Sequence, residues 1–279
     1  MADNTGDITA SRARELAQRS EYTVTASRFL SPAEQVTFCT AVRGLGAASA
    51  GRLFFFGGCP RAERRCAVFL PTYFDLSDAP TDNGVFSTDR EDYLMCALDS
   101  YGCKEDLGIT QLEICGSGYA QLTHRDYLGS ILGLGIERSV IGDIAVTDGS
   151  CAVVFVSVTV AEYIIENLVK VGRDKVSVGK IALPQGFTVP HSFVSLHLAA
   201  ASDRADAVVA AVTGLSRTEA KELCKSAAID IDYVTRENPD ARIAPGSTVS
   251  IRGFGKYIVD SFDGKTRSGR LKLSVRKHV

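Results

Sequence analysis

Apolar and polar positions alternate in short blocks that predict helices and strands from the start of the chain. Residues 8–20 have the spacing of a polar helix. Residues 31–42 predict a second helix, with Ser31 as the N-cap, Pro32 at the first helical position and Glu34 three residues after the cap. This arrangement is the capping-box signature, so the start of the second helix is well defined by sequence.

Two β-prone apolar runs follow, at residues 52–58 and 65–71, separated by turn-forming residues. Their spacing is typical of two paired strands. Residues 71–90 are rich in Pro, Asp, Gly and Ser and have little periodicity. This stretch is predicted to be a loop and a domain boundary.

The middle of the chain alternates between helical and extended patterns. A helix beginning at Thr159, with Glu162 completing a capping box, is expected to end at Gly172. The mixture predicts a small α+β sandwich, followed by a linker with two prolines. The predicted helices are residues 90–102, 123–136 and 159–172, the strands are residues 111–117 and 174–183, and residues 141–158 form a hairpin around an Asp-Gly turn.

The C-terminal region combines two short helices with several strands. The helices are predicted at residues 203–214 and 216–226, the second opened by a capping box at Ser216 and Glu219. A strand at residues 228–234 and a Pro-Gly turn between strands follow, and the chain ends in a basic strand. The whole pattern therefore predicts a multidomain α+β protein.

Composition narrows the class of protein. The 279 residues are 45% hydrophobic and 23% charged, which is typical of a soluble globular protein, and no apolar run is long enough for a membrane span. The N-terminus lacks the apolar core of a secretory signal, so a cytoplasmic location is expected. With no C-x-x-C pair, the eight cysteines are predicted to be reduced thiols. They are Cys39, Cys59, Cys66, Cys96, Cys103, Cys115, Cys151 and Cys224.

The net charge of −2 conceals an asymmetry along the chain. From residue 186 onward there are 14 Lys and Arg against 10 Asp and Glu, and the preceding residues carry an excess of six acidic groups. A basic C-terminal end on an acidic body favours a polyanionic partner, although a charge run is more often a solvated face.

The second C-terminal helix offers candidate ligands for such a partner. Its first backbone N–H groups attract negative charge, and Arg217 lies in that first turn. Arg204 opens the preceding helix, and Lys221 lies one turn after Arg217. Three cations near a helix start suit RNA phosphates, whereas the alternative is that Arg217 pairs with an acidic neighbour or is simply solvated.

Residues 204–232 resemble the alpha-L RNA-binding domain, also called the S-four-type domain. The matching positions are Arg204 and Asp206 at one helix start and Ser216, Arg217 and Ala220 at the next. The sequence departs from that pattern on the following strand, where acidic Asp230 and Asp232 replace basic or neutral residues. This departure predicts weaker attraction of phosphate by the strand.

Longer blocks resemble the YlmH family of bacterial RNA-binding proteins, in order, over roughly residues 25–275. The most distinctive block surrounds Thr123, His124, Arg125, Asp126, Leu128 and Gly129. The resemblance implies three modules: an N-terminal α/β module at residues 1–86, an α/β domain similar to an RNA-recognition motif at 87–183, and the alpha-L domain at 190–279.

The resemblance also implies a function without enzyme activity. Its implied partners are the large ribosomal subunit RNA and tRNA on stalled subunits, where family members support C-terminal alanine tailing of the nascent chain in ribosome-associated quality control. An older link to cell division belongs to the same family. No cofactor and no metal are expected, because the chain has no P-loop and no paired Cys/His spacing.

The predicted RNA ligands all lie in the C-terminal region, and most are cations. Arg252 and Lys256 flank glycines that allow close approach of RNA, with a β-bulge as the alternative. The basic hairpin further on predicts electrostatic contact without sequence specificity. The full set is Arg204, Ser216, Arg217, Lys221, Lys225, Arg252, Lys256, Lys265, Arg267 and Arg270.

Two other classes of function remain open at the level of sequence. One is an accessory to RNA modification, because alpha-L domains are often joined to modifying enzymes, yet residues 1–183 show no convincing catalytic Asp or methyl-donor loop. The other is a cell-division factor that binds protein, for which the basic C-terminus would be incidental. A nucleophile pair of Cys115 and His124 lacks a third group and an oxyanion site.

Overall fold

A computed structural model describes residues 2–80, 88–147, 149–184, 186–190 and 192–278 of the chain. Helices and strands are mixed throughout, which confirms the α+β prediction in its general form. The chain divides into two units, Met1–Pro190 and His191–Val279. The predicted boundary at residues 86 and 87 lies outside the described residues, so the three-module division remains a prediction.

The first unit contains six helices and eight strands among the described residues. The helices are α1 (Ala2–Arg19), α2 (Pro32–Arg43), α3 (Ala47–Gly51), α4 (Thr88–Ser100), α5 (His124–Leu132) and α6 (Val158–Asn167). The strands are β1 (Thr25–Leu30), β2 (Leu53–Phe56), β3 (Arg65–Phe69), β4 (Ile109–Gly116), β5 (Ile141–Val146), β6 (Cys151–Ser157), β7 (Lys170–Val171) and β8 (Asp174–Lys180). They form two antiparallel sheets, ordered β1-β3-β2 and β5-β6-β4-β8-β7. Single 3-10 turns lie at Lys104–Leu107 and Arg138–Val140.

The strand β2 of the smaller sheet is buried on both faces, which explains its continuous apolar run. All four of its residues are buried. Leu53 and Phe55 pack into the cluster that contains residues of α1 and α2, whereas Phe54 and Phe56 pack into the cluster with Leu94 of α4. Because alternate side chains of a strand point to opposite faces, a strand covered on both sides is apolar at every position.

Helices cover one face of the five-stranded sheet, and a loop covers part of the other face. Leu112 and Val154 pack against Tyr127 of α5 and Ile164 of α6. On the opposite face, Phe155 is fully buried and lies near Phe187, with ring centroids 6.3 Å apart. The resemblance of this domain to an RNA-recognition motif remains a prediction, and its aromatic Phe155 is not available for base stacking.

The predicted helix over residues 159–172 is wrong at both ends. The helix α6 begins one residue earlier, with Ser157 as the N-cap, and ends at Asn167. Glu162 forms no capping box and instead pairs with Lys180 on β8, with an Nζ–Oε1 distance of 2.5 Å. Gly172, at φ 59°, lies in the tight turn between β7 and β8, so the edge strand β7 was missed.

The second unit is an antiparallel six-stranded sheet with two helices on one face. The order is β11-β10-β12-β13-β14-β9. Its elements are α7 (Ala205–Thr213), α8 (Arg217–Lys225), β9 (Phe193–Ala200), β10 (Ile229–Ile231), β11 (Val234–Thr235), β12 (Thr248–Ile251), β13 (Gly255–Lys265) and β14 (Leu271–His278). Val208 of α7 and Cys224 of α8 are fully buried with Val249, Val259 and Val275 of the sheet.

Two strand predictions in this unit need correction. The apolar residues before α7 form β9, which pairs along its whole length with β14, although they were not predicted as a strand. The predicted strand over residues 228–234 is a hairpin of β10 and β11. Asp232 and Tyr233 turn the chain there with φ values of 51° and 64°, a conformation that non-glycine residues rarely adopt.

The prediction that all eight cysteines are reduced thiols is wrong for one pair. Cys115 on β4 and Cys151 on β6 lie directly opposite each other and are joined by a disulfide, with Cα atoms 4.1 Å apart. The sulfur of Cys115 is therefore not a thiol that could pair with His124. The free cysteines among the described residues are Cys39, Cys59, Cys66, Cys96, Cys103 and Cys224.

Candidate nucleic-acid interface

The start of α7 holds a carboxylate between two arginines. The side chain of Asp206 is 3% exposed, and both of its oxygens accept hydrogen bonds. Arg204 donates from Nε and Nη2 at 3.2 and 3.3 Å, and Arg217 donates from the same two atoms at the same distances. Each guanidinium is therefore bidentate on a shared acid, which fixes the position of both planes.

The two arginines differ in what else they contact. Arg204 also pairs with Asp240, and its side chain is 35% exposed. Arg217 has Asp206 as its acidic partner, and 49% of its side chain is exposed. The surface therefore presents Arg217 as the more available cation, because half of its guanidinium-bearing side chain faces solvent.

The shared carboxylate remains ionised in this setting. Burial raises the pKa of Asp206, but the hydrogen bonds from Arg217 and Arg204 outweigh it and leave the pKa below its usual value. The hydrogen bond that Arg204 donates to Asp206 is also the main cause that raises the pKa of Arg204. The site is thus a stable arrangement of two cations and one anion at neutral pH.

The N-terminus of α8 is closed by its own side chains. Ser216 Oγ accepts the N–H of Glu219 at 3.3 Å, and the carboxylate of Glu219 accepts the N–H of Ser216 at 2.8 Å. This confirms the predicted capping box. The hydroxyl of Ser216 serves as a helix cap, and its role as an RNA ligand remains a prediction.

The exposed side of α8 carries cations at consecutive helical turns. Arg217, Lys221 and Lys225 are four residues apart and exposed, so they lie along one face of the helix. Lys225 forms an ion pair with Glu222, with an Nζ–Oε1 distance of 2.9 Å. Lys221 has no ion-pair or hydrogen-bond partner among the described residues, which leaves it available to a phosphate.

The remaining predicted ligands occupy the two ends of a long hairpin. Arg252 is exposed in the turn between β12 and β13, and Lys256 lies over the ring of Tyr233 at 5.1 Å from its centroid. Lys265, Arg267 and Arg270 surround the turn between β13 and β14.

Strand length shows that these cations form two groups rather than one site. Lys265 lies nine positions after Lys256 along β13, which corresponds to roughly 30 Å along an extended strand. Arg270 donates to the carbonyl oxygen of Ala199 at 2.6 Å, so one of its guanidinium nitrogens is already used at the end of β9.

The two acidic residues that depart from the alpha-L pattern have local structural contacts. Asp230 accepts a hydrogen bond from the hydroxyl of Thr235 at 2.8 Å. Asp232 accepts from the hydroxyl of Ser247 at 3.0 Å and from the N–H of Thr248 at 2.8 Å. Both carboxylates therefore stabilise the turns around β10, β11 and β12.

The sequence shows Asp206 as part of a motif, and its place in the site follows only from the structure. The spacing Arg204-x-Asp206 was visible, yet the reach of Arg217 across eleven residues depends on how α7 and α8 pack. The second partner of Arg204, Asp240, lies in the loop after β11 and had no signal in sequence.

A comparison with known protein families matches part of the first unit to an RNA-binding domain. Residues 103–185 match the family model described as "Putative RNA-binding domain in YlmH". The chain is 26% identical over 260 residues to Ribosome-associated protein quality control protein P2 of Bacillus subtilis (strain 168), covering 93% of this chain and 89% of that protein. These two matches support the resemblance of the chain to the YlmH family.

A solved structure also resembles the chain, "Cell division protein ylmH from Streptococcus pneumoniae". The TM-score is 0.43 with 21% sequence identity, and the match covers 65% of this chain and 92% of that one. The residues matched by the YlmH domain model end before α7, so none of the ten predicted RNA ligands lies within them. No helix in the described part of the chain is long and apolar enough to cross a membrane.

Proposed function

We propose that this chain is a ribosome-associated RNA-binding protein whose second unit contacts RNA phosphates through Arg217 and Arg204. The observation that carries the proposal is the shared Asp206 carboxylate, which holds two partly exposed arginine side chains in fixed orientations. Preorganised arginines lose less conformational entropy on binding, and their planar forks suit phosphate oxygens. Lys221 extends the same cationic face.

The finer proposal is that the RNA is that of the large ribosomal subunit together with tRNA on a stalled subunit. The relative named for ribosome-associated protein quality control supports this assignment, since it matches over most of both chains. Support of C-terminal alanine tailing is then the proposed outcome of binding, with no reaction carried out by this chain.

Co-sedimentation with large ribosomal subunits over a salt series tests the site. We expect Arg204→Gln/Arg217→Gln to bind more weakly and to reduce the slope of log Kobs against log[salt] by about 1.5, because two phosphate contacts are lost. Arg276→Gln is the matched control, since Arg276 is also paired with a carboxylate, Asp260, but lies on the sheet face away from the helices.

Three outcomes separate the parts of the proposal. Loss of binding by the double variant, with unchanged binding by the Arg276→Gln control, supports the arginine site. Equal binding by folded wild type and double variant means that the arginines are structural and that the ribosome contact lies elsewhere. A wild-type protein that stays in the supernatant at low salt contradicts ribosome association itself. Subunits with and without bound tRNA then distinguish the two RNA partners.

A further inference from the structure

The hairpin of β7 and β8 places two lysines directly opposite each other. Lys170 pairs with Lys175 in the strand register, and Val171 pairs with Asp174 across the tight turn. Side chains opposite each other on neighbouring strands are about 5 Å apart at Cβ, and like charges there destabilise a sheet. Arg173 lies in the turn itself, exposed together with both lysines.

No carboxylate in the described part of the first unit forms an ion pair with these cations. Among the described residues, Lys170, Arg173 and Lys175 have no ion-pair or hydrogen-bond partner. The neighbouring Asp174 is buried on the other side of the strand, where its carboxylate accepts from the hydroxyl and the N–H of Ser117 at 2.5 and 3.0 Å. The three cations therefore repel one another across a short, solvated hairpin.

The other charges of the same sheet are distant or already paired. Glu113 lies opposite Gly179, four residues along β8 from Lys175, which is about 13 Å on an extended strand. Such a separation exceeds the screening length of about 8 Å at physiological ionic strength. Lys180 points to the helix face of the sheet and pairs with Glu162.

We infer that Lys170, Arg173 and Lys175 form a second phosphate-binding surface, which contacts an RNA backbone from the first unit. This hairpin lies inside residues 103–185, the part of the chain that matches the YlmH domain model, whereas the proposed arginine site lies outside it. An RNA backbone supplies closely spaced negative charges that would relieve the repulsion. The inference goes beyond the proposed function and does not depend on Arg204 or Arg217.

Binding of RNA by this hairpin is expected to depend on charge and not on base sequence. The open part of this sheet face presents Lys175, Ser177, the backbone of Gly179 and the exposed carboxylate of Glu113, and Phe155 on the same face is buried. Phosphate contacts position a protein on RNA without distinguishing bases, so a generic duplex is a sufficient probe.

The test uses the full-length protein and a fluorescein-labelled RNA duplex of about 20 base pairs, with affinity measured by anisotropy over a salt series. Lys170→Gln/Lys175→Gln is expected to weaken binding and to lower the salt slope by about 1.8, because two phosphate contacts are removed. Lys180→Gln is the matched control on the same strand and is expected to leave both quantities unchanged. Thermal unfolding confirms that each variant is folded.

Two results would overturn the inference. The first is an unchanged affinity and slope in the folded double variant, which would mean that the lysines only protect a sheet edge from pairing with other chains. The second is failure of the wild type to bind the duplex at low salt. The same measurement on Arg204→Gln/Arg217→Gln keeps this inference separate from the proposed arginine site, since each pair of substitutions can fail alone.

Discussion

Single side chains decide how the C-terminal cations are held. Asp206 is nearly inaccessible to solvent and accepts four hydrogen bonds from two arginines. Elsewhere the first unit uses the same chemistry in its core, where Arg65 donates to Glu91 at 2.7 Å and to Gln35 at 3.0 Å. The difference is exposure: Arg65 is 2% exposed and structural, whereas Arg217 keeps half of its side chain in solvent.

Replacement of Asp206 by Asn is expected to reduce the free energy of unfolding by about 2 kcal/mol at neutral pH, because hydrogen bonds to a charged acceptor are lost. The folded pKa of Asp206 lies below its unfolded value of about 3.9, so this stabilisation is present above that pH and is lost as the pH falls through the folded pKa. Urea denaturation of wild type and Asp206→Asn checks this.

The two curves are expected to converge as the pH falls through the folded pKa of Asp206, because the wild-type carboxyl then also becomes protonated. A constant difference between the two proteins from neutral to acidic pH would contradict a role for the ionised carboxylate. RNA binding by Asp206→Asn is expected to weaken as well, since both guanidiniums lose their fixed orientation.

At the level of elements, the sequence predicts features that depend on neighbouring residues, such as helix caps, but not the pairing of elements that are distant along the chain. The capping boxes at Ser31 and Ser216 involve residues three apart, and both are confirmed. The same signature at Thr159 was wrong, because Ser157 caps α6 and Glu162 is drawn to Lys180 eighteen residues away. A sequence motif therefore predicts a helix start only where no distant partner competes for its side chains.

Strand register explains most of what sequence could not provide. The disulfide depends on Cys115 and Cys151 being opposed in β4 and β6, and β9 is recognisable as a strand through its pairing with β14. The candidate site was likewise predictable only in part. Arg204 and Arg217 are predicted from sequence, whereas the fact that both bind Asp206 follows from the packing of α7 against α8.

The cap of α8 gives a prediction at this scale. Ser216→Ala is expected to lower the free energy of unfolding by about 1 kcal/mol, because the N–H of Glu219 loses its acceptor. Thr218→Ala, two residues later and also exposed, is the control and is expected to change stability by less than about 0.5 kcal/mol. Equal effects of the two substitutions in chemical denaturation would contradict the cap.

Across the whole molecule, the reactivity of the cysteines indicates whether both units are folded. Burial raises the pKa of Cys59 and of Cys66 to about 12, and it raises the pKa of Cys224 to about 11. These thiols are protonated at neutral pH and inaccessible, so they are poor nucleophiles. Cys96 is exposed on α4 and offers a contrasting site.

Alkylation of the native, unreduced protein followed by mass spectrometry is expected to modify Cys96 first and to leave Cys59, Cys66 and Cys224 unmodified. Cys115 and Cys151 are expected to react only after reduction, because their sulfurs are bonded to each other. Rapid native alkylation of Cys115 without a reductant would contradict the disulfide, and labelling of Cys224 would contradict the packing of α8.

The shared carboxylate of Asp206 makes the loss of one arginine less costly than the loss of both. A buried acid that loses its single partner is left unpaired, which is strongly unfavourable in a protein interior. Here the removal of Arg217 alone leaves Asp206 bidentate with Arg204, and the removal of Arg204 alone leaves it bidentate with Arg217. The arrangement is therefore redundant: either arginine keeps the acid charged and paired, and only the removal of both isolates it.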